Sequence, residues 1–91
     1  MRQLQVTKQF KKDYKRSKER GYNLEELERV INMLLEEDEL PSEYRDHALV
    51  GKYLGHRECH IRPDWLLIYS YTGDRLILIA NRTGSHSDLF R

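Results

Sequence analysis

The sequence predicts an α+β fold in which two N-terminal helices pack on a mainly antiparallel sheet, in the order β-α-α-β-β-β-β. Three observations predict it. Apolar residues recur at helical spacing before Pro41, they switch to strand-like runs from Val50 onward, and 91 residues suffice for one sheet under one helical layer. With no internal repeat, low-complexity tract or linker, residues 1–91 read as a single domain.

The elements follow in order. "RQLQV" alternates and reads as a short opening strand, after which Thr7 can cap a helix running to Gly21, a residue suited to the left-handed position past a helix end. Phe10 and Tyr14 mark its buried stripe. Asn23 then opens a second helix, with Glu26 three residues on in capping-box spacing. Leu24, Leu27, Val30, Ile31, Leu34 and Leu35 share one face, and Pro41 closes the element. "VGKYLG" and "RECHI" are the next strands, and "RPDW" is a turn. "WLLIYSYT" and "RLILIA" flank a "GD" hairpin signal, and their nearly continuous apolar character places them mid-sheet under the helices. The remaining "NRTGSHSDLFR" reads as a polar tail.

The net charge of +1 hides a polarity along the chain. Residues 1–20 carry eight basic residues against two acidic, and residues 21–46 carry nine acidic against two basic. These runs are either two solvated helix faces that attract each other or, for the first, an electrostatic footprint for a polyanion. The single Cys59 cannot form an internal disulfide and reads as a small core residue. No apolar run is long enough to span a bilayer, and the first ten residues lack the hydrophobic segment of a secretion signal, so a cytoplasmic protein is expected.

Chemistry turns on the four histidines: His47 in a loop, His56 in a turn, His60 at the end of "RECHI" and His86 in the tail. Asp64 and Trp65 follow His60 after one tight turn. Metal binding is disfavoured by spacing, because His56 and His60 share no metal-binding helix and adjacent Cys59 and His60 should face opposite ways on a strand. No metal and no cofactor is expected. The set suits metal-free RNA cleavage, which needs a base for the ribose 2′-hydroxyl, an acid for the leaving 5′-oxygen, cations for the phosphate, and aromatics to stack a base.

"YRDHALVGKYLGHRECHIRPDWLLIY" together with "RTGSHSDLF" resembles the YafQ-type branch of the RelE superfamily of type II toxin–antitoxin toxins. The motifs D-H-x-L, H-x-x-P-D-W and R-T-G-[ST]-H with a near-terminal phenylalanine carry the resemblance, and the two helices match only in outline. It implies a RelE-like fold and a ribosome-dependent endoribonuclease that cuts messenger RNA at the decoding site and is held inactive by a cognate antitoxin protein. The matched catalytic positions are His47, His60, Asp64, His86 and Phe90, with Trp65 beside them as a substrate contact.

Beyond the resemblance, we expect His86 as general acid, His47 as general base, and His60 with Asp64 as an orienting pair. Arg82 is expected on the phosphate, Phe90 on the scissile nucleotide, and Lys8, Lys11, Lys12, Lys15 and Lys18 on ribosomal RNA. The same superfold also hosts ParE-like toxins that bind DNA gyrase and cut no RNA, which would have no use for convergent histidines.

Overall fold

The computed structural model describes residues 1–36 and 39–90; Glu37 and Asp38 of the acidic run and the terminal Arg91 lie outside the described residues. The chain forms β1 (Gln3–Val6), α1 (Lys8–Glu19), α2 (Leu24–Glu36), β2 (His47–Ala48), β3 (Arg57–Arg62), β4 (Trp65–Thr72), β5 (Ile77–Gly84) and α3 (His86–Leu89). The sheet order is β1-β5-β4-β3-β2, with β1 parallel to β5 and all other neighbours antiparallel. No helix among the described residues is long and apolar enough to cross a membrane.

The helix ends behave as their residues dictate. The Thr7 hydroxyl accepts from the Phe10 N–H at 2.9 Å and donates to the Asn81 carbonyl at 2.8 Å, so one side chain both caps α1 and ties it to the sheet. Gly21, at φ +78°, terminates α1 while Tyr22 N–H donates to the Ser17 carbonyl, the pairing of a Schellman end. Asn23 Oδ1 accepts from the Glu25 N–H at 3.1 Å at the start of α2. Glu26 does not act as the expected capping partner: its carboxylate reaches across to Arg62 of β3, 2.6 Å from Nε.

Two apolar clusters form, one on each face of the sheet. Leu27, Val30, Ile31, Leu34 and Leu35 of α2 join Phe10 against Cys59, Ile61, Leu67, Tyr69, Leu78 and Ala80. Burial pushes the Cys59 thiol up, as suits the core role expected of it. Leu66 and Ile68, on the other face of β4, hold Leu89 of α3. β4 is therefore covered on both sides, which explains its unbroken apolar run. Full burial of Leu89 stabilises by about 1.5–3 kcal/mol and pins the tail to the sheet.

Three sequence expectations need correction. "VGKYLG" is not a strand: Gly51 and Gly55 take φ of +68° and +88°, Val50 and Leu54 are exposed, and Gly51–Tyr53 forms a single 3₁₀ turn. The neighbouring strand is the two-residue β2, and it contains His47. Residues 81–84 are not tail but the second half of β5, because Arg82 and Thr83 find partners inside the fold. Beyond them the tail folds into α3 under a capping box, with Ser85 Oγ accepting from the Asp88 N–H and Asp88 Oδ2 accepting from the Ser85 N–H.

Candidate active site

Strand alternation sorts β3 into two faces. Cys59 and Ile61 point into the helix-side core, and Glu58 and His60 point to the other face, paired in register with Ile68 and Leu66 of β4. β2 adds His47 directly opposite Glu58. On the far side of His60, the turn before β4 supplies Asp64, and α3 supplies His86. The result is a row of three imidazoles, with ring centroids 6.3 Å apart for His47–His60 and 5.7 Å for His60–His86.

Each ring has a nitrogen with an oxygen partner. His47 Nδ1 lies 2.9 Å from the Arg45 carbonyl, which can only accept, so Nδ1 carries a proton. His60 Nε2 lies 3.0 Å from Glu58 Oε1, and His47 Nε2 is 3.9 Å from the other Glu58 oxygen. His86 Nδ1 is 2.5 Å from Asp64 Oδ1, and the His86 backbone N–H donates to the same oxygen at 2.9 Å. These two contacts, the backbone one first, hold the Asp64 carboxyl below the usual carboxylate range. His86 thus presents Nε2 outward.

The expected His60–Asp64 pair is therefore replaced by two separate pairs, Glu58–His60 and Asp64–His86. Glu58 was missed by sequence reasoning. Its signal was present in "RECHI", where a carboxylate stands two residues from the histidine and hence on the same strand face.

The aromatic and cationic members divide. Phe90, 41% exposed, sits 6.3 Å from the His86 ring and edge-on to Tyr53 at 5.6 Å, while the Tyr53 hydroxyl donates to the Leu89 carbonyl. Trp65 does not contact this row as a free surface. It is buried against Tyr22 and its indole N–H donates to Thr83 Oγ1 at 2.9 Å, so its work is to hold β4 to β5 below the site.

Arg82 is forked onto the fully buried Asp13 of α1 at 2.7 and 3.2 Å, and Asp13 also accepts from Gln9, Arg16 and the Thr83 N–H. That carboxylate locks α1 to β5 directly before the tail. Arg20 adds a second lock, donating to both oxygens of Asp88 at 2.7 and 3.2 Å and holding the Asp88 carboxyl far below the usual range. The side chains of Lys8, Lys11, Lys12, Lys15 and Lys18 are all exposed along α1.

His47, Glu58 and His60 also meet the donor requirements of a metal centre, offering nitrogen, oxygen and nitrogen within 4.8 Å of one another. Cys59 stays on the opposite face, as its place next to His60 requires.

A three-helix, five-strand fold carrying three oriented imidazoles on one sheet face is that of a bacterial toxin. Residues 2–91 match the family described as bacterial toxin of type II toxin–antitoxin system, YafQ, and the chain belongs to it. The chain is 37% identical over 90 residues to the mRNA interferase toxin YafQ of Escherichia coli K12, covering 98% of this chain and 96% of that protein. Its fold is similar to the toxin in the crystal structure of the E. coli DinJ–YafQ complex, at TM-score 0.89 and 35% identity over the whole of both chains. It is also similar to a metal-bound toxin from Helicobacter pylori, at TM-score 0.90 and 39% identity, covering 99% of this chain and 100% of that one.

Proposed function

We propose that this toxin is an endoribonuclease that cuts messenger RNA on the ribosome, in the cytoplasm, and that a cognate antitoxin protein silences it. The observation that carries the reading is the imidazole row: His86 with Nδ1 on Asp64 and Nε2 presented outward, His47 with Nδ1 on a backbone carbonyl and Nε2 toward Glu58, and between them His60, fixed by that buried carboxylate. A ParE-like gyrase poison has no use for such a row. Membership of the family and the naming of the E. coli relative as an mRNA interferase support the same reading.

In this mechanism His47 Nε2, unprotonated, takes the proton of the ribose 2′-hydroxyl, and the oxygen attacks the adjacent phosphorus. Doubly protonated His86 delivers its Nε2 proton to the departing 5′-oxygen, with Asp64 keeping Nδ1 in place. His60, fixed by Glu58, lies between them where charge develops on the non-bridging oxygens. Arg82 contributes positive field to the phosphate while Asp13 fixes its guanidinium, and Phe90 clamps the nucleotide. No step requires a metal.

Mapping 5′ ends of messages in cells expressing wild type and His86→Ala tests the assignment. Codon-registered cuts are expected with wild type and a loss on the order of a hundredfold or more with the variant. Full cleavage by His86→Ala would remove the acid; gyrase-linked DNA damage without cuts would favour the rival class.

The exposed lysines of α1 are assigned to ribosomal RNA phosphates. Reversing Lys11 and Lys15 to glutamate should weaken ribosome binding with a reduced salt slope. Equal binding across a salt series removes the footprint.

A further inference from the structure

The motif D-H-x-L gives one residue to the proposed chemistry, His47, and leaves two without a task, Asp46 and Leu49. His47 is poorly held by its own strand. It stands half exposed on the two-residue edge strand β2, whose whole register with β3 is His47 opposite Glu58 and Ala48 opposite Arg57. A strand that short at a sheet edge frays unless side chains hold it.

Asp46 holds it from the other side of the sheet. Arg57 of β3 and Tyr69 of β4 are paired in register, and Tyr69 belongs to the helix-side core. Arg57 Nε donates to Asp46 Oδ1 at 2.7 Å, and the Tyr69 hydroxyl donates to Oδ2. Each carboxylate oxygen therefore has its own donor, one of them carried by a wholly buried ring on the central strand. Burial first, and the Asp46 carboxylate second, push the Tyr69 hydroxyl up, so it stays protonated and donating throughout the physiological range.

Leu49 is the second clamp. It packs on Leu66, Ile68 and Leu89 on the site face, and its N–H donates to the His56 carbonyl at 2.9 Å. His47 is thus bracketed by a charge-assisted anchor one residue before it and an apolar one two residues after it, set on opposite faces of the sheet. The turn ahead of the pair depends on the same anchor. Arg45 is left-handed at φ +50°, a conformation that persists for a residue with a side chain where its neighbours fix it, and its carbonyl accepts from His47 Nδ1.

We propose that Asp46 is a positioning residue for cleavage: clamped by Tyr69 and Arg57 on the far side of the sheet, it sets the place of the His47 ring without touching RNA itself. Its side chain is only 17% exposed and lies across the sheet from the imidazole row, so its influence reaches the reaction through the backbone of β2. Misplacing a reacting group by about 1 Å costs on the order of a hundredfold in rate, whereas binding spread over many contacts is little changed. The signature is a loss in the catalytic step with binding intact. The effect on rate rests on His47 acting as the base; the placing of the ring does not.

The test measures single-turnover cleavage on message-programmed ribosomes over a range of ribosome concentrations, and follows histidine ring signals by NMR. Asp46→Asn keeps the shape but turns one acceptor oxygen into an amide NH₂ facing a donor. It is expected to lower the saturating rate by about tenfold or more and to leave the half-saturating ribosome concentration within about twofold. The His47 ring signals should move while those of His86 stay. Tyr69→Phe removes one hydroxyl from the opposite face and should give the same pattern at about a few-fold. In a His47→Ala background, Asp46→Asn should add less than about twofold, because a residue acting through His47 then has nothing left to place.

Circular dichroism checks the fold of each variant. A folded Asp46→Asn with the wild-type saturating rate overturns the proposal, as does a loss that persists in full in the His47→Ala background, or a His47 ring whose signals stay in place. Should Asp46→Asn fail to fold, Tyr69→Phe, alone and combined with His47→Ala, decides by the same criteria. Where wild type does not cut, or His47→Ala cuts as well as wild type, the reading of the site falls and the His47 ring signals alone judge the anchor: moved in Asp46→Asn it stands, unmoved it is overturned.

Discussion

The Glu58–His60 pair is sunk into the sheet, its side chains 6% and 15% exposed, whereas Asp64–His86 stands in solvent at 68% and 52%. Both join a carboxylate to an imidazole at hydrogen-bond distance, yet they are held by different parts of the molecule. Glu58 and His60 sit two residues apart on β3, so their geometry is stiffened by the pairing of β3 with β4. Asp64 comes from a turn and His86 from the first residue of a one-turn helix, and their meeting depends on how α3 docks. The contrast fits the proposed division of labour. A group that stabilises charge profits from rigid, dry surroundings, and one that passes a proton to a leaving group needs access to it.

Breaking the buried pair should have the larger effect on the protein. Glu58→Ala leaves the His60 nitrogen without its partner and empties a buried position, at a cost of about 1–3 kcal/mol, read as a lower urea midpoint with unchanged slope. An unchanged midpoint would place Glu58 outside the structural account.

Loosening the exposed pair should cost function while sparing the fold. Deleting Phe90 and Arg91 removes the ring beside His86 but keeps Leu89 in its apolar seat, so thermal stability should hold while cleavage falls about tenfold. A truncated protein that cuts normally would return the terminus to a passive role.

Asp64→Asn is the mildest intervention. It keeps the shape and removes the charge beside His86 Nδ1, and cleavage should drop a few-fold with no change in unfolding. The sign of the pH dependence follows from the lowered Asp64 pKa. A carboxyl depressed in the folded state stabilises above its unfolded value, about 3.9, and loses that contribution as pH falls through the folded value. Asp88, depressed chiefly by Arg20, behaves in the same sense. The Arg20–Asp88 contact should therefore be constant from pH 5 to 8 and release α3 only in acid, below about pH 4, as monitored by hydrogen exchange at the Leu89 and Phe90 amides. Loosening of α3 between pH 5 and 7 would contradict it.

Legibility followed the same line between local and distant. The motifs named His47, His60, Asp64, His86 and Phe90 without any structure, and the structure brings them to one face. Yet they could not say that His60 turns to Glu58 rather than to Asp64. Trp65 read as a surface contact because indoles often stack bases, and its burial under Tyr22 depends on how α1 and α2 are joined. Arg82 read as a bare cation because Asp13 is 69 residues away along the chain.

What the sequence determined by itself is the periodic part: the apolar face of α2, the caps at Thr7 and Gly21, the apolar run of β4, and the opposite facing of Cys59 and His60. These depend on spacings of two to four residues, which backbone geometry imposes wherever the chain folds. Tertiary structure alone decided the partners. Strand register set His47 opposite Glu58, the Asp13 fork and the Arg20–Asp88 contact aimed the tail, and the seat of Leu89 carried His86 to Asp64. Hydrogen bonds and ion pairs act over a few ångströms in space, whatever the separation in sequence, so the chemistry of this site exists only once the sheet has closed its register.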